Sequence, residues 1–298
     1  MKKIDLSLVK ELREATGAGM MDCKAALEKG NGDKDQALAI LRQKGVAAAE
    51  KRGQRVAADG LVHAHVSADQ KIGALVEINC ETDFVAKHTD FKKFVQEIAG
   101  LVMERNPAHT EALLTMSMTN GNTVAEEVIH LINRFGESIA IRRFVRFEAE
   151  SCGLIHHYIH DDYLTEGKIG VLVELSVDRE EVLSHPVYNQ FWKDLVLQIT
   201  AAKPEYVSRE EISAEIMEKE KAIYQERAGQ EGKPEEVIRK MTEGRLDHFF
   251  KEKCLLEQPF LKDQGQRMSA FLERVKEQAG IQNLAVVRFV RFERGGAS

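Results

Sequence analysis

Lys71-Ile72-Gly73-Ala74-Leu75-Val76-Glu77 returns 97 residues later as Lys168-Ile169-Gly170-Val171-Leu172-Val173-Glu174. Arg143-Phe144-Val145-Arg146-Phe147-Glu148 returns unchanged 145 residues later, as Arg288 to Glu293. The second half of the chain is therefore a rewritten copy of the part before it. Around the first stretch the hydrophobic period is two. Val62, Ala64 and Val66 alternate with His63 and His65, and Ile72, Ala74, Val76, Ile78 and Cys80 share one face of a second strand, with a turn at 67–70. The other copy repeats the pair at Ile155 to Ile159 and at Ile169, Val171, Val173, Leu175 and Val177. A helix follows in both. Phe91, Phe94, Val95, Ile98, Leu101 and Val102 have i, i+3, i+4, i+7 spacing, and they become Tyr188, Phe191, Trp192, Leu195, Gln198 and Ile199. Each copy closes on its RFVRFE strand, with an inward set of Ile141, Val145 and Phe147, or Val286, Val290 and Phe292. The expectation is an α+β chain in which each copy packs helices on an antiparallel sheet with one apolar face.

Residues 1–55 differ in kind and read as wholly helical. Asp5 caps a first helix with Leu8, Val9 and Leu12 inward, and Thr16-Gly17 breaks it. A second runs from about Ala18 to Lys29 with Met20, Met21, Cys23, Ala26 and Leu27, and stops at Gly30-Asn31-Gly32. Asp33 caps a third with Ala37, Leu38, Ile40 and Leu41, ending at Gly45, and a basic, alanine-rich connector spans Val46 to Arg55. The copies then occupy 56–150 and 151–298. The growth of the offset from 97 to 145 marks an insertion of 48 residues between Pro204 and Arg288. Its pattern predicts two antiparallel helices at about 205–253. Ser208 to Glu211 reads as a capping box before Ile212, Ile216 and Ile223, Gly229 and Gly232 flank a turn, and Pro234 suits the start of a second helix with Val237, Ile238, Met241 and Phe249. The charged faces of this hairpin suit either solvent or a partner.

Lys+Arg number 42 against Asp+Glu 48, a net charge of −6, which argues against a general nucleic-acid binder. No run of 18 apolar residues occurs, and the start Met1-Lys2-Lys3-Ile4-Asp5 lacks a signal-peptide core. Cys23, Cys80, Cys152 and Cys254 are scattered with no CxxC pair, as for reduced thiols. A cytoplasmic protein without membrane contact is expected.

The copies differ most sharply after the second strand. Glu81-Thr82-Asp83-Phe84-Val85-Ala86-Lys87 in the first copy stands against Asp178-Arg179-Glu180-Glu181-Val182-Leu183-Ser184 in the second, and Val85 alone is kept. A lone Phe in a strand-to-helix loop is ordinarily tucked into the core. The sister copy places Glu181 at that position, so this architecture does not demand burial there.

These residues carry a resemblance. Leu12-Arg13-Glu14-Ala15-Thr16-Gly17-Ala18-Gly19-Met20-Met21-Asp22-Cys23-Lys24-Ala25-Ala26-Leu27 and Glu77-Ile78-Asn79-Cys80-Glu81-Thr82-Asp83-Phe84-Val85-Ala86-Lys87, with Gln258-Pro259-Phe260 and the closing RFVRFE, resemble the bacterial elongation factor Ts family. Its members are guanine-nucleotide exchange factors for the GTPase elongation factor Tu. The resemblance covers nearly the whole chain. It implies a helical N-terminal domain like the ubiquitin-associated (UBA-like) fold, a core of two related subdomains, and a helical hairpin inserted in the second. It also implies that Thr82, Asp83, Phe84 and Val85 reach the Mg²⁺ and phosphate region of the partner. There the aromatic wedges between side chains and loosens Mg²⁺ and then GDP. Arg13, Met20, Met21 and Lys24 would dock on the partner's nucleotide domain, and Gly136, His160 and Phe260 match positions near the partner contact. The implied complex is a heterodimer or a two-fold heterotetramer. Many members continue into an acidic helical tail, whereas this sequence stops at Arg294-Gly295-Gly296-Ala297-Ser298, so that contact is expected to be absent or replaced.

No G-x-x-x-x-G-K-[ST] occurs, so no P-loop for direct nucleotide binding is expected, nor any cofactor. An exchange factor must instead bind its nucleotide-free partner far better than the GDP form. A rigid aromatic suits that conflict with metal and phosphate, and Asp83 either holds the loop or contacts partner backbone. Two rival readings stand. A pure binding adaptor would use the bundle and hairpin without exchange. A metalloenzyme would draw on His156-His157-Tyr158-Ile159-His160-Asp161-Asp162, with His63 and His65 as an echo, against the plainer reading of surface histidines.

Overall fold

Asp5 accepts the Ser7 N–H at 2.9 Å and opens α1 (Leu6–Thr16), which buries Val9 and Leu12. α2 (Met20–Lys29) adds Cys23, Ala26 and Leu27, and α3 (Lys34–Gly53), with Asp33 accepting the Gln36 N–H, closes this core with Ala37 and Leu41. The computed structural model describes residues 4–53, 55–150, 152–161, 166–178, 180–230 and 234–296. It corrects the sequence reading of Gly45 as a helix end, because α3 runs on through the alanine-rich stretch to Gly53. A Cβ at Gly45 would lie 2.5 Å from Asn133 Nδ2, so glycine here serves close approach to a neighbouring helix rather than termination. Nor is the expected connector a linker as far as Gly53: Ala49 packs into the core beneath the first sheet.

The first copy comprises β1 (Asp59–Val66), β2 (Ile72–Cys80), α4 (Asp83–Lys87), α5 (Thr89–Arg105), α6 (Thr110–Leu114), α7 (Val124–Phe135) and β3 (Ile139–Glu148). The second comprises β4 (Gly153–His160), β5 (Ile169–Val177), α8 (Pro186–Ala202), α9 (Ala214–Gln230), α10 (Glu235–Lys253), β6 (Pro259–Phe260), β7 (Asp263–Arg267), α11 (Met268–Ala279) and β8 (Leu284–Glu293). The chain is α+β. Its sheets run β1-β2-β3 and β4-β5-β8, all antiparallel, and the short β6-β7 pair was not expected. Register repeats across the copies: Ile72 faces Glu148 as Ile169 faces Glu293.

Both closing strands carry a β-bulge, with Arg142 and Val287 as the extra residues. The bulge corrects the expected inward set, because an added residue reverses which side chains share a face. Ile141 lies under the helices of the first copy, and beyond the bulge Phe144 joins it there. Val145 and Phe147 point to the opposite face, as do Val290 and Phe292. That face is not solvent. Val62, Ala64, Leu75 and Phe147 of one sheet pack on Ile155, Leu172 and Phe292 of the other, so each sheet lies between its helices and its sister. Burying each such side chain is worth about 1.5–3 kcal/mol, which ties the copies into one body.

The insertion starts later than its capping signal. Residues 209–211 make a single 3₁₀ turn in which Glu211 accepts the Val207 N–H at 2.7 Å and the Ser208 side chain makes no cap bond. α9 begins after Ser213, whose hydroxyl accepts the Ile216 N–H. Gly229 lies inside α9 rather than at a turn, and Gly232 lies outside the described residues. α9 and α10 are antiparallel neighbours, held at their base by Ile212, Phe249 and Cys254. Among the described residues, no helix is long and apolar enough to cross a membrane.

Candidate functional site

β2 ends at Cys80, paired with Ile139, and the next residues are clasped from the turn that leads into the neighbouring β3. Glu137 Oε2 accepts the N–H groups of Glu81 (3.2 Å) and Thr82 (3.0 Å), and its Oε1 accepts the Thr82 hydroxyl at 2.6 Å. Glu81 Oε1 in return accepts the Ser138 N–H at 2.7 Å and lies 3.5 Å from Arg55. Burial pushes the Cys80 thiol up to about 12, with the Glu137 charge adding to it, so the sulfur stays protonated and donates to the Thr82 carbonyl. The short helix α4 then buries Val85 and Ala86 in the core while Asp83 and Phe84 project. The Lys87 ammonium, hydrogen-bonded at 2.6 Å, holds the Asp83 carboxyl below the usual carboxylate range.

Phe84 is 81% exposed, the ring lying outside its own core. A phenylalanine left in water forgoes about 1.5–3 kcal/mol of burial, so stability does not explain it. The corresponding turn of the second copy, residues 180–184, buries Val182 as α4 buries Val85, and leaves Glu181 exposed as α4 leaves Phe84. The two copies thus display the same position, one with a carboxylate and one with a benzyl group.

α7 connects this loop to the N-terminal bundle. A Cβ at Gly17 would lie 3.2 Å from His130 and Arg134, and Arg42 pairs with Glu126 at 3.0 Å, so α1 to α3 rest on the flank of α7. At its other end Gly136 caps α7 at φ +75° and leads directly into Glu137. Phe135 meets the His88 ring edge to face at 4.9 Å, and Arg134 pairs with Asp90, which fixes the start of α5.

The other residues singled out by sequence lie as follows. Arg13, Met21 and Lys24 are exposed on the bundle, with Met21 at 73% and Lys24 3.9 Å from Glu28, while Met20 packs partly into the bundle core. His160 ends β4, with Nδ1 3.2 Å from the Tyr158 hydroxyl. Glu166 pairs with Lys92 of α5, in the first copy, at 2.8 Å. Phe260 is buried, stacked on Phe271 at 4.2 Å, so it turns no ring face outward and bears on any partner only through the β6-β7 pair. Glu137 was not singled out by sequence. At the 145-residue offset of the closing strands Glu137 stands against Gln282, a carboxylate against an amide, and that difference is the signal that exposes it.

The histidine stretch does not assemble as ligands. His156 is buried, its Nε2 2.8 Å from the Tyr188 hydroxyl and its ring stacked on Trp192 at 4.6 Å, and burial lowers its pKa to about 4. Asp162 lies outside the described residues. Among the described residues no group of three or more His, Cys, Asp or Glu side chains is placed to hold a metal ion.

The model of the family described as Elongation factor TS matches residues 81–296. Elongation factor Ts of Clostridium perfringens (strain SM101 / Type A) is 46% identical over 292 residues, covering 98% of this chain and 93% of that protein. The chain belongs to the elongation factor Ts family. Elongation factor Ts of Symbiobacterium thermophilum is 43% identical over 295 residues (99% and 93% covered), and that of Trichlorobacter lovleyi 41% over 294 (98% and 93%). Membership of the elongation factor Ts family places the chain in the elongation phase of protein biosynthesis.

Proposed function

We propose that the chain is a cytoplasmic guanine-nucleotide exchange factor. It binds elongation factor Tu in its GDP form, dislocates Mg²⁺ and releases GDP so that GTP rebinds. It carries out no covalent chemistry of its own. The observation that supports this most is the exposed Phe84 ring on a loop braced from both sides, in the copy that alone carries Thr82-Asp83-Phe84-Val85. A GTPase holds its nucleotide through phosphate-cradling N–H groups and Mg²⁺. A wedge that cannot coexist with them weakens GDP by the same factor that GDP weakens it. Speeding release of a tightly held nucleotide calls for coupling on the order of 3–5 kcal/mol.

In this reading Arg13, Met20, Met21 and Lys24 dock the bundle on the nucleotide domain, and the exposure of Met21 supports it. α7 sets the distance between that dock and the wedge. Gly136 acts through the turn it makes, His160 acts from the end of β4, and Phe260 supports the β6-β7 pair. The test is a nucleotide-release assay: labelled GDP on elongation factor Tu is chased with excess GTP, with and without the chain. Accelerated release at substoichiometric chain supports exchange, and tight binding without acceleration favours an adaptor.

A further inference from the structure

We infer that Glu137 is the positioning residue of the exchange loop, acting through Thr82 to hold Phe84 in its projecting attitude; this rests on the reading of Phe84 as the wedge. Glu137 uses both carboxylate oxygens on this one segment, taking two N–H groups and the Thr82 hydroxyl. Carboxylate bonds to N–H and O–H donors are among the stronger hydrogen bonds in proteins. Thr82 occupies the N-cap position of α4, yet its hydroxyl makes no cap bond and is committed to Glu137 instead. The direction in which α4 leaves the sheet, and with it the Phe84 ring, is therefore set from the α7–β3 turn.

The second copy supplies the internal control. There Asp178, at the position of Glu81, accepts the Gln282 N–H at 2.9 Å, so in both copies a carboxylate after the second strand holds the turn that leads into the closing strand, one residue apart in register. The position two residues before the closing strand holds Glu137 in the first copy and Gln282 in the second. A carboxylate at that position, gripping Thr82, thus coincides with the copy that carries the aromatic.

The test is GDP release from the GTPase partner over a concentration series of full-length chain, giving a maximal rate and a half-saturating concentration. Glu137→Ala should lower the maximal rate about tenfold while the half-saturating concentration stays within about threefold, since misplacing a reacting group acts on the step and not on docking. Glu137→Gln, which keeps an acceptor for Thr82, should return to within about threefold of the parent rate. Thr82→Val added to Glu137→Ala should lower the rate by less than about twofold more, because the hydroxyl bond that it removes is already lost with the carboxylate. Hydrogen exchange should accelerate at the Glu81 and Thr82 amides and stay unchanged in the β2 core, and if the alanine variant does not fold, the Gln variant and Thr82→Val carry the same comparison. A parent-like maximal rate in Glu137→Ala, with Phe84→Ala slow, overturns this inference alone. A parent-like rate in Phe84→Ala overturns the wedge reading itself.

Discussion

The Arg143 guanidinium lies 4.4 Å over the ring of Phe292, while Arg288 lies 4.3 Å over that of Phe147. The two copies thus exchange arginine-on-aromatic contacts between the RFVRFE strands, which accounts for that hexapeptide returning unchanged. Each arginine also neutralises a carboxylate on its own sheet: Arg143 Nε sits 2.7 Å from fully buried Glu77, and Arg288 Nε sits 2.6 Å from Glu174. Arg143→Ala should cost about 3 kcal/mol of stability, in the range for stranding one member of a buried pair. Urea unfolding followed by circular dichroism measures it, and a loss below about 1 kcal/mol would mean that the pair contributes like an exposed one.

His156 predicts how stability depends on pH. Its folded-state pKa of about 4 lies below the usual 6.5 because burial disfavours the imidazolium. The unfolded chain therefore takes up a proton first as pH falls. This contribution is fully present above 6.5, is lost between 6.5 and about 4, and changes no further below that. His156→Gln, which keeps a partner for the Tyr188 hydroxyl, should reduce the loss of stability over that window by about 3 kcal/mol, read from urea midpoints at several pH values. His63 and His157, also shifted down by burial, remain in both proteins and cancel in the comparison.

Gly136 stands at φ +75° with open space where a Cβ would sit, so substitution there costs conformation and not packing. Gly136→Ala should lose about 1–2 kcal/mol, and Gly136→Asn less, since asparagine tolerates the left-handed region. Because Glu137 follows it, the same series should slow GDP release in the same order. Equal stability with equal rates across the three proteins would contradict this.

The duplication was legible because both copies kept residue identity where two sheets and a helix layer constrain every position of β2 and β5. The outward setting of Phe84 was legible for a related reason: Glu181 at the matching position cannot be a core residue. The bulge at Arg142 was not legible, since Phe144 and Val145 are both apolar and either face accepts them. Gly45 misled because a glycine in a helical pattern reads alike as a stop or as a point of close approach, and only Asn133 across the interface distinguishes the two. Glu137 left no local trace because two of its three donors are main-chain N–H groups 55 and 56 residues away, and main-chain donors carry no residue identity.

Asp83 pairs with Lys87 within one exposed helical turn, while the loop is held by Glu137. Asp83→Asn should therefore leave the urea midpoint unchanged and slow GDP release about fivefold, acting on the partner and not on the loop. A lowered midpoint with parent-like release would assign Asp83 to bracing.

The most direct measurement is stopped-flow GDP release from the GTPase partner, saturated with Phe84→Ala. The maximal rate should fall by about tenfold or more, while affinity for the nucleotide-free partner, measured by titration, changes by less than about threefold. Release at the parent rate would contradict the claim that an exposed benzyl group on one copy of the duplicated scaffold expels metal and diphosphate from another protein.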